Sequence, residues 1–451
     1  MTKLANNLII VYVCMFTINV FSQEYDYKLT GLPVCYIETE NNNAIETKTE
    51  YISAIFCIKE NDDEILKSSP ISIRLRGNAT IGAPKKSYKV KFKSKTRPFP
   101  SMSKDKSFCL LANYSDKSLM RTAIGFKIGE LLEYDWVPKS RFVEVVLNGE
   151  YIGNYQFTEN VKRSSERVNI SNTGFIIEFD FDYLSSVHYF STLTNDWKFT
   201  PKYPEDDEMI DSIFNYAEQY MNDFEEALYK PEFPIDRSYT SYIDETSFAK
   251  WYYWKNLLQM DECNRYFYKY DNTDNTKLKM GTLWDFEWCL GVGPGVKDER
   301  PSNNHYLESK LYFNRLYNDP LFMAKVAEIH QQYGDKIYYG VLDFYDELSD
   351  SLSLSQAVNF QRWPILDIPI GWAYVPLGSW ENEVVCDKQF FINHYHWLNE
   401  TLLPYSTGIT EKESDTNQIS DFLYSLDGRK VGTHSLSKGV YISHGRKYVV
   451  K

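Results

Sequence analysis

The segment RFVEVVLNGEYIGNYQFTENV, residues 141–161, constrains the fold more than any other part of this sequence. Two runs of alternating apolar and polar residues flank the dipeptide Asn148-Gly149. Asn-Gly favours the two-residue turn of a β-hairpin, because both turn positions need a positive φ and these residues tolerate it. The segment therefore predicts two antiparallel strands joined by a tight turn.

Strand and helix patterns are distributed unevenly over the rest of the chain. Strand-like alternation occurs in SPISIRLRGN, KKSYKVKFKS and GFIIEFDFDY. Helical periodicity is found at 115–132, 206–228, 244–260, 319–334 and 393–403, and a β-ribbon is expected at 264–285. This order predicts an α+β, bilobal, protein-kinase-like fold. It would have a β-rich N-terminal lobe, a mostly helical C-terminal lobe and a small β C-terminal tail.

Charge limits the classes of partner. The chain has 451 residues, of which 43% are hydrophobic and 25% charged, an ordinary balance for a globular protein. Its formal net charge is −13. A surface this acidic argues against bulk electrostatic binding to nucleic acid or to anionic lipid. We therefore expect no nucleic-acid partner.

The N-terminus has the pattern of an export signal. Lys3 supplies a short positive region, and the apolar stretch LIIVYVCMFTINVF follows at residues 8–21. The stretch is too short and too early for a stable membrane span, which predicts cleavage near Ser22 rather than a transmembrane segment. The mature chain is then expected to be secreted or in the cell envelope, at the periplasm or outer surface.

Six cysteines remain after the predicted cleavage. They are scattered along the chain without a CxxC pair, so a zinc site is not expected. An oxidising compartment would allow one disulfide, for instance Cys35–Cys57. The other interpretation is that most of these thiols are buried hydrophobic side chains.

A set of residues suited to phosphate chemistry lies in chain order. Phosphoryl transfer needs cations on the triphosphate, a carboxylate on Mg²⁺ and a second carboxylate oriented at the acceptor hydroxyl. Asp285, at the end of the ribbon, could be the metal ligand, Asp261 the second carboxylate, and Asn264 a further oxygen ligand. Lys89 and Lys91 form a basic strand face. Taken individually, each has a structural alternative: a turn cap for the aspartate, a solvated face for the lysines.

A series of ordered motifs spans roughly residues 30–335. They are RLRGNATIGAPKKSYKVKF, FCLLANYSDKSLMRTAIGFKIGELL, FVEVVLNGEYIGNYQFTENV, GFIIEFD, KYPED, MDECNRYFYKYDNTDNTKLKMGTLWDFEWCLG and RLYNDPLFMAKV. In these motifs the chain resembles the CotH kinase-like family, named for a spore-coat protein kinase, in the secreted form common among Bacteroidetes. The family implies a kinase-like fold and ATP-dependent phosphorylation of protein Ser or Thr, with Mg²⁺ or Mn²⁺.

The resemblance assigns three residues to catalysis and metal binding. Asp285 in LWDFEW resembles the metal-binding aspartate of the family. Asp261 resembles the catalytic aspartate that precedes the aromatic strand, and Asn264 resembles the metal-binding asparagine before RYFY.

Five further residues are assigned to the nucleotide. Arg76, Lys86 and Lys91 resemble the basic positions around it. Glu159 in FTENV falls where the two lobes would join, so its neighbours would meet the adenine. Glu178 lies in GFIIEFD and could pair with a nucleotide-binding lysine, although a solvated strand edge is its structural alternative.

The sequence departs from ordinary kinases in its motifs. Asp261 and Asn264 form D-x-x-N rather than D-x-x-x-x-N, and Glu287 stands in place of the glycine of D-F-G. The segment RGNATIGAPKKS has neither G-x-G-x-x-G nor G-K-[ST], which argues against a P-loop NTPase. Two functions therefore stay open: a secreted protein kinase, or a catalytically degenerate kinase-like protein for surface binding, adhesion or scaffolding.

The C-terminal end differs in character from the rest of the chain. Residues 407–418 are polar, and after them turn signals at Asp427-Gly428 and His444-Gly445 separate short β-runs. From residue 421 onward there are six Lys or Arg against two Asp. The end resembles the sorting tails of secreted Bacteroidetes proteins, which implies a surface or secretion-machinery partner. A plain β-hairpin appendage is the alternative.

These observations predict five consecutive segments. They are a signal peptide at 1–22, an N-terminal β segment at 23–70, a CotH kinase-like domain at 71–405, a linker at 406–420 and a sorting-tail-like β module at 421–451.

Overall fold

A computed structural model describes residues 24–450, apart from 181, 206–207, 261–264, 293–310, 372–374, 407–422, 426–429, 432–438 and 444–445. The predicted signal peptide and two predicted site residues, Asp261 and Asn264, lie outside the described residues.

Seven strands of the N-terminal region form a closed barrel in the order β1-β2-β3-β4-β5-β7-β6. The strands are β1 (Val34–Thr39), β2 (Ile52–Glu60), β3 (Asp63–Arg76), β4 (Ser87–Thr96), β5 (Asp105–Leu111), β6 (Ser140–Leu147) and β7 (Glu150–Glu159). All neighbours are antiparallel except β1 and β6, whose parallel pairing closes the barrel. The β-rich N-terminal region is thus confirmed.

The predicted hairpin at 141–161 is confirmed as β6 and β7. Asn148 and Gly149 connect the strands with φ values of 51° and 79°, the left-handed conformation that this dipeptide favours. The Asn148 side-chain oxygen also accepts a hydrogen bond from the Thr39 backbone N–H at 2.8 Å. The turn is therefore tied to the end of β1, beside the parallel pairing that closes the barrel.

The barrel is filled by side chains and has no central channel in the part of it that is described. Phe56, Phe92, Phe108 and Phe157 meet at its centre with ring-centroid distances between 5.4 and 5.9 Å. Edge-to-face and offset contacts of this kind add to the free energy gained by burying the rings. Phe157 contributes to the core from the hairpin that the sequence predicts.

The disulfide that the sequence analysis allowed between Cys35 and Cys57 is not present. Both residues carry free thiols. Cys57 lies opposite Tyr36 on the neighbouring strand, one residue away from Cys35. Successive side chains of a strand point to opposite faces, so the Cys35 thiol faces the barrel core and Cys57 faces outward.

A second sheet follows the barrel, in the order β12-β11-β8-β10-β9. Its strands are β8 (Phe175–Phe179), β9 (Phe190–Ser191), β10 (Lys198–Tyr203), β11 (Arg265–Lys269) and β12 (Lys279–Met280). The ribbon predicted at 264–285 corresponds to β11 and β12, and β11 pairs with β8 from nearly one hundred residues upstream. Phe175 and Ile177 pack into the large helical core, whereas Ile176 and Glu178 lie on the opposite face.

Helices dominate the remainder of the described chain. They are α1 (Arg121–Leu131), inserted between β5 and β6, then α2 (Asp211–Leu228), α3 (Glu245–Leu257), α4 (Phe313–Leu316), α5 (Pro320–Arg362) and α6 (Trp380–Ser406). No described helix has both the length and the apolar character needed to cross a bilayer.

Helix α5 is 43 residues long and extends far beyond the predicted 319–334. Asp319 caps its N-terminus by accepting a hydrogen bond from Leu321 N–H at 2.8 Å, with proline in the first turn. Residues 335–362 contain no proline, and the helix ends just before Pro364, which disfavours the helical conformation at Trp363. The long helix contacts both β7 of the barrel and α3 and α6 of the helical part.

The C-terminal residues form a four-stranded sheet in the order β14-β13-β15-β16. The strands are β13 (Leu423–Ser425), β14 (Lys430–Val431), β15 (Gly439–Ser443) and β16 (Arg446–Val450). β13 pairs with β14 and β15 with β16, both antiparallel. The two turns at Asp427-Gly428 and His444-Gly445 were expected to make such connections, and their residues lie outside the described ones.

Candidate functional site

Asp285 lies in the loop after β12, in an uncommon backbone conformation. Its φ is +71°, in the left-handed region that few residues other than glycine adopt. Its neighbours Trp284 and Phe286 are 4% and 0% exposed. A non-glycine residue keeps such a conformation when its surroundings over-determine it, which is common at functional sites. Here the two buried aromatic neighbours supply that restraint.

Helix α1 provides the surface on which these aromatic side chains pack. Phe126 contacts Phe286 edge-to-face, with centroids 5.5 Å apart, and contacts Trp284 at 5.8 Å. Gly125 has no side chain, and a Cβ there would lie 2.4 Å from the Phe286 ring. The glycine thus lets the Phe286 ring approach the helix backbone and fixes the loop that carries Asp285.

The Asp285 side chain is exposed to solvent, yet the surrounding protein desolvates it and raises the pKa of its carboxyl. Neighbouring protein atoms that limit hydration destabilise the charged form of a carboxyl even when part of the side chain reaches solvent. Arg76, at the end of β3, opposes the shift electrostatically. The Arg76 guanidinium also lies over the Trp284 ring, 5.4 Å from its centroid. The structure therefore brings two predicted site residues, Arg76 and Asp285, together.

Glu287 is a second carboxylate in the same place. Desolvation, followed by the negative charge of Asp285, raises the pKa of Glu287 to about 7. The Ser115 hydroxyl donates a hydrogen bond to its carboxylate. The sequence analysis noted Glu287 only as the replacement for a glycine. The D-x-E spacing is the signal that could have revealed a pair of carboxylates.

The Asp285–Glu287 pair fits a hard divalent cation. Carboxylate oxygens are the ligands that Mg²⁺ and Mn²⁺ prefer, and two neighbouring desolvated carboxylates repel each other unless a positive charge is shared. Among the residues that the structure describes, no group of three or more His, Cys, Asp or Glu could hold a metal ion. Asn264, the other predicted ligand, is not among those residues, and neither is the predicted catalytic Asp261.

A buried network of salt bridges also holds the loop that carries Asp285. Arg121, at the start of α1, forms salt bridges with Asp116 and Asp387, and all three side chains are at most 1% exposed. The Arg121 Nε also donates to the Cys289 carbonyl oxygen at 3.1 Å. The network thereby connects α1 and α6 to the chain four residues after Asp285. The sequence analysis predicted only a helix in this segment, at 115–132.

Lys85, rather than its predicted neighbour Lys86, is buried. Its ammonium group donates to the Asn154 carbonyl and to the Asn359 side chain and lies 4.7 Å from the centroid of the Tyr155 ring. Burial lowers the pKa of Lys85 to about 7, and the charges of Glu144 and Glu287 oppose that shift. Lys86 donates to the Ile81 carbonyl at 2.7 Å and so braces the turn after β3.

The loop after β3 reaches toward the second sheet. Lys48 donates to the Asn78 side chain at 2.9 Å and forms a salt bridge of 3.4 Å with Asp182, just beyond β8. Glu178 lies on β8 and forms a 2.6 Å salt bridge with Lys202. Burial raises the pKa of Glu178, and Lys202 opposes that effect. The partner of Glu178 is thus a lysine of the KYPED motif.

Two other predicted residues have different surroundings. Glu159 is buried, and its carboxylate accepts hydrogen bonds from the backbone N–H groups of Ser103 and Lys139, the second at 3.0 Å. Lys91 is exposed on the outside of the barrel wall, on β4. Among the described residues, no hydrogen bond or ion pair connects either of them to Asp285.

The chain combines a β-barrel with an inserted helix, a helical C-terminal part and a carboxylate-bearing loop packed on the inserted helix. The family model of the CotH kinase protein matches residues 73–393, from within β3 to within α6 and more than half of the chain. The chain therefore belongs to the CotH kinase family, as its motifs suggested. A comparison with curated proteins finds no match.

Proposed function

We propose that this protein is a secreted kinase that transfers the γ-phosphoryl group of ATP to Ser or Thr hydroxyls of an extracytoplasmic protein. The observation that carries the proposal is Asp285, held in a left-handed conformation with the charges of Arg76 and Glu287 beside it. Family membership supports the kinase chemistry. The N-terminal apolar stretch at 8–21 supports export.

The barrel and the helical part are proposed to act as the two lobes of a kinase-like fold. The contacts of Lys48 with Asn78 and Asp182 support a cleft between the loop after β3 and the end of β8. ATP would occupy that cleft. The Arg76 guanidinium would offer its positive charge to the phosphates, which is the usual role of such a group in phosphoryl transfer.

A divalent cation would be held by the Asp285 and Glu287 carboxylates, with Asn264 as the further ligand expected from the family. When bound, such a cation neutralises charge on the phosphates. The protein's own contribution is to keep the two carboxylates in place. The aromatic neighbours of Asp285 and the Ser115 hydroxyl on Glu287 do so.

Asp261 is proposed as the residue that orients the acceptor. Its carboxylate would accept a hydrogen bond from the substrate hydroxyl and take the proton as the reaction proceeds. The hydroxyl oxygen then forms a bond to the γ-phosphorus, the bond from that phosphorus to the bridging oxygen breaks, and ADP leaves. A positioned acid–base group contributes about 10²–10⁴-fold to rate.

The Asp261→Asn substitution tests the catalytic assignment. We expect nearly unchanged ATP affinity but a fall in phosphoryl transfer of about 10²–10⁴-fold, because the charge is lost while the size is kept. Incorporation of labelled phosphate from ATP into a mixed acceptor panel, with Mg²⁺ or Mn²⁺, measures the effect. Equal activity of variant and wild type would reject the role of Asp261.

The Asp285→Ala substitution tests the metal assignment. We expect the divalent-metal dependence of ATP binding to disappear, because a cation held at this position would lose its aspartate ligand. Calorimetry with and without Mg²⁺ measures it. Asp346→Ala, which alters an exposed aspartate paired with Lys388, is the matched control. The same Mg·ATP affinity in Asp285→Ala and wild type would contradict the assignment.

The wild-type measurement also decides the second function. If the mature chain binds Mg·ATP but transfers phosphate to no acceptor, including itself, the degenerate surface-binding or scaffold role replaces the kinase role. The basic C-terminal sheet would then be the element for a surface or secretion-machinery partner.

A further inference from the structure

A groove of about 450 Å³ lies mainly between three segments, and Asp244 before α3 and Thr282 after β12 complete its lining. The loop between α1 and β6 contributes Trp136, the segment before β8 contributes Asn169, and the β11–β12 ribbon contributes Tyr268, Tyr270 and Asn275. The volume lies within the range of small-molecule sites in proteins, roughly 300–1,000 Å³.

The groove is distinct from the Asp285 site. Along the same face of the second sheet, Glu178 pairs with Tyr266, and Ile176 pairs with Tyr268 two residues further on. At that second position, Ile176 and Val168 form an apolar cluster with Trp136 and Tyr268 packed against it. The groove opens on the Tyr268 side of this cluster, and neither Asp285 nor Glu178 lines it.

Most charged groups around the groove already have partners. The exception in part is Arg167, a lining residue that is only 3% exposed. Its Nε donates to the Ser103 hydroxyl at 2.7 Å and its Nη1 donates to Asn160, while its buried Nη2 has no hydrogen-bond partner within the described chain. Lys279 forms salt bridges with Asp135 at 2.6 Å and with Asp244 at 3.8 Å. The Tyr268 hydroxyl also donates to Asp135 at 2.6 Å. Lys277 donates to the Thr240 carbonyl at 2.7 Å. Apart from the Arg167 guanidinium, which is buried, a ligand would meet little uncompensated charge. This argues against an anionic or cationic group as the main determinant of binding.

Neutral groups are the ones that remain available. Within the described chain, the Trp136 indole N–H, the Tyr270 hydroxyl and the Asn169 and Asn275 side-chain amides have no hydrogen-bond partner. Tyr270 is 52% exposed. Aromatic faces contact the apolar C–H faces of pyranose rings, and amide groups both donate to and accept from hydroxyls. This combination of groups is suited to a neutral, polyhydroxylated ring.

An extended peptide is a poorer candidate, although β12 is the edge strand of its sheet. Met280 on β12 donates its N–H to the Ser247 hydroxyl at 3.2 Å, and its carbonyl accepts from the Tyr134 hydroxyl at 2.8 Å. A strand added at this edge needs such backbone groups to be unpaired. Here side chains already use them.

We infer that this groove binds a neutral saccharide, with the Trp136 and Tyr270 rings as stacking surfaces and the Asn169 and Asn275 amides as hydrogen-bonding groups. The inference does not depend on phosphoryl transfer. It would give the protein a means of attachment to a glycan or glycosylated partner on a surface separate from the Asp285 site.

Saturation-transfer NMR and tryptophan-fluorescence titration of the whole mature chain test the inference. The probes are cellohexaose, maltohexaose and xylohexaose, with a galacturonic acid hexamer as the charged comparison. We expect saturable binding of at least one neutral probe. Tyr270→Ala and Trp136→Ala should each weaken it by at least about tenfold, and Trp136→Phe, which keeps a ring, should weaken it less.

Controls separate the groove from general damage. Tyr339→Ala removes another exposed ring, from α5, where Tyr339 is 64% exposed, and should leave saccharide binding unchanged. Tyr270→Ala should also leave Mg·ATP affinity unchanged. The inference is overturned if no neutral probe binds, if the charged hexamer binds more tightly, or if the correctly folded Tyr270→Ala and Trp136→Ala variants bind like wild type.

Discussion

Replacing Gly125 by alanine should destabilise the protein and disturb the Asp285 loop. A Cβ at this position would lie 2.4 Å from Phe286 Cδ1 and 2.5 Å from Cε1, far inside ordinary contact distance. The ring cannot easily retreat, because it is fully buried and packs against Phe126 and Trp254 at centroid distances of 5.5 and 5.9 Å.

Helix propensity and core overpacking have opposite effects on the stability of the Gly125→Ala variant. Alanine is favoured over glycine in a helix interior by about 1 kcal/mol. Overpacking a well-packed core costs about 1–3 kcal/mol. The contact involves three atoms of one rigid ring, so the upper part of that range applies and the net loss in free energy of unfolding should be about 1–2 kcal/mol. Displacing Phe286 must also move its neighbour, Asp285.

Urea denaturation monitored by circular dichroism measures the stability, and calorimetry measures Mg·ATP affinity. Gly340→Ala in α5 is the matched control, because its Cβ would meet the Leu131 methyl groups at 3.1 Å, at the flexible end of a side chain. It should be neutral or slightly stabilising. If Gly125→Ala is as stable as Gly340→Ala and binds Mg·ATP normally, the tight packing of Phe286 on α1 does not position the loop.

Two further predictions follow from buried charges. Arg121→Met leaves the Asp116 and Asp387 carboxylates buried without their cation, and should cost about 3–5 kcal/mol in urea denaturation. Arg141→Met, which breaks an exposed pair, should cost about 0–1 kcal/mol, and similar losses would contradict the analysis. For Lys85 the lowered pKa means that the unfolded chain binds the proton more tightly between about pH 7 and 10.5. Wild-type stability should therefore rise from pH 7 to 9 relative to Lys85→Met, by on the order of 1 kcal/mol, and parallel pH profiles would exclude the shift.

Local signals predicted the elements of the fold better than their partners. The Asn148-Gly149 turn specifies its own hairpin because the two strands it joins are adjacent in sequence. The parallel pairing of β1 with β6 joins residues more than one hundred positions apart, and no local pattern encodes it. The same holds for β11, whose partner β8 is separated from it by two helices.

The ends of helices were also difficult to predict from local sequence. The sequence analysis ended the helix at residue 334, where Gly334 interrupts the pattern, but α5 continues to Arg362. Gly334 lies against the His330 ring and the Tyr395 hydroxyl of α6, so its missing side chain permits close packing between helices. A glycine that serves packing cannot be distinguished from one that ends a helix without knowledge of the neighbour.

Only part of the candidate site could be predicted from the sequence. Asp285 and Arg76 were predicted from motifs, and the structure places them together. Glu287, Arg121 and Lys85 were not predicted, because their significance comes from burial and from partners distant in sequence. Desolvation is a property of the folded chain, so it cannot be obtained from residue type or spacing alone.

Asp285 lies between two aromatic residues and combines two features that are each unfavourable when considered separately. A desolvated carboxylate favours its neutral form, and a left-handed backbone at an aspartate is an uncommon conformation. The burial of Trp284 and Phe286 stabilises the loop enough to hold both unfavourable features in place. Arg76 relieves only part of the electrostatic cost, since the pKa of Asp285 stays raised despite it. A cation bound at this position would relieve part of the remaining cost of the desolvated carboxylate, so the packing of the two aromatic rings would then influence metal affinity.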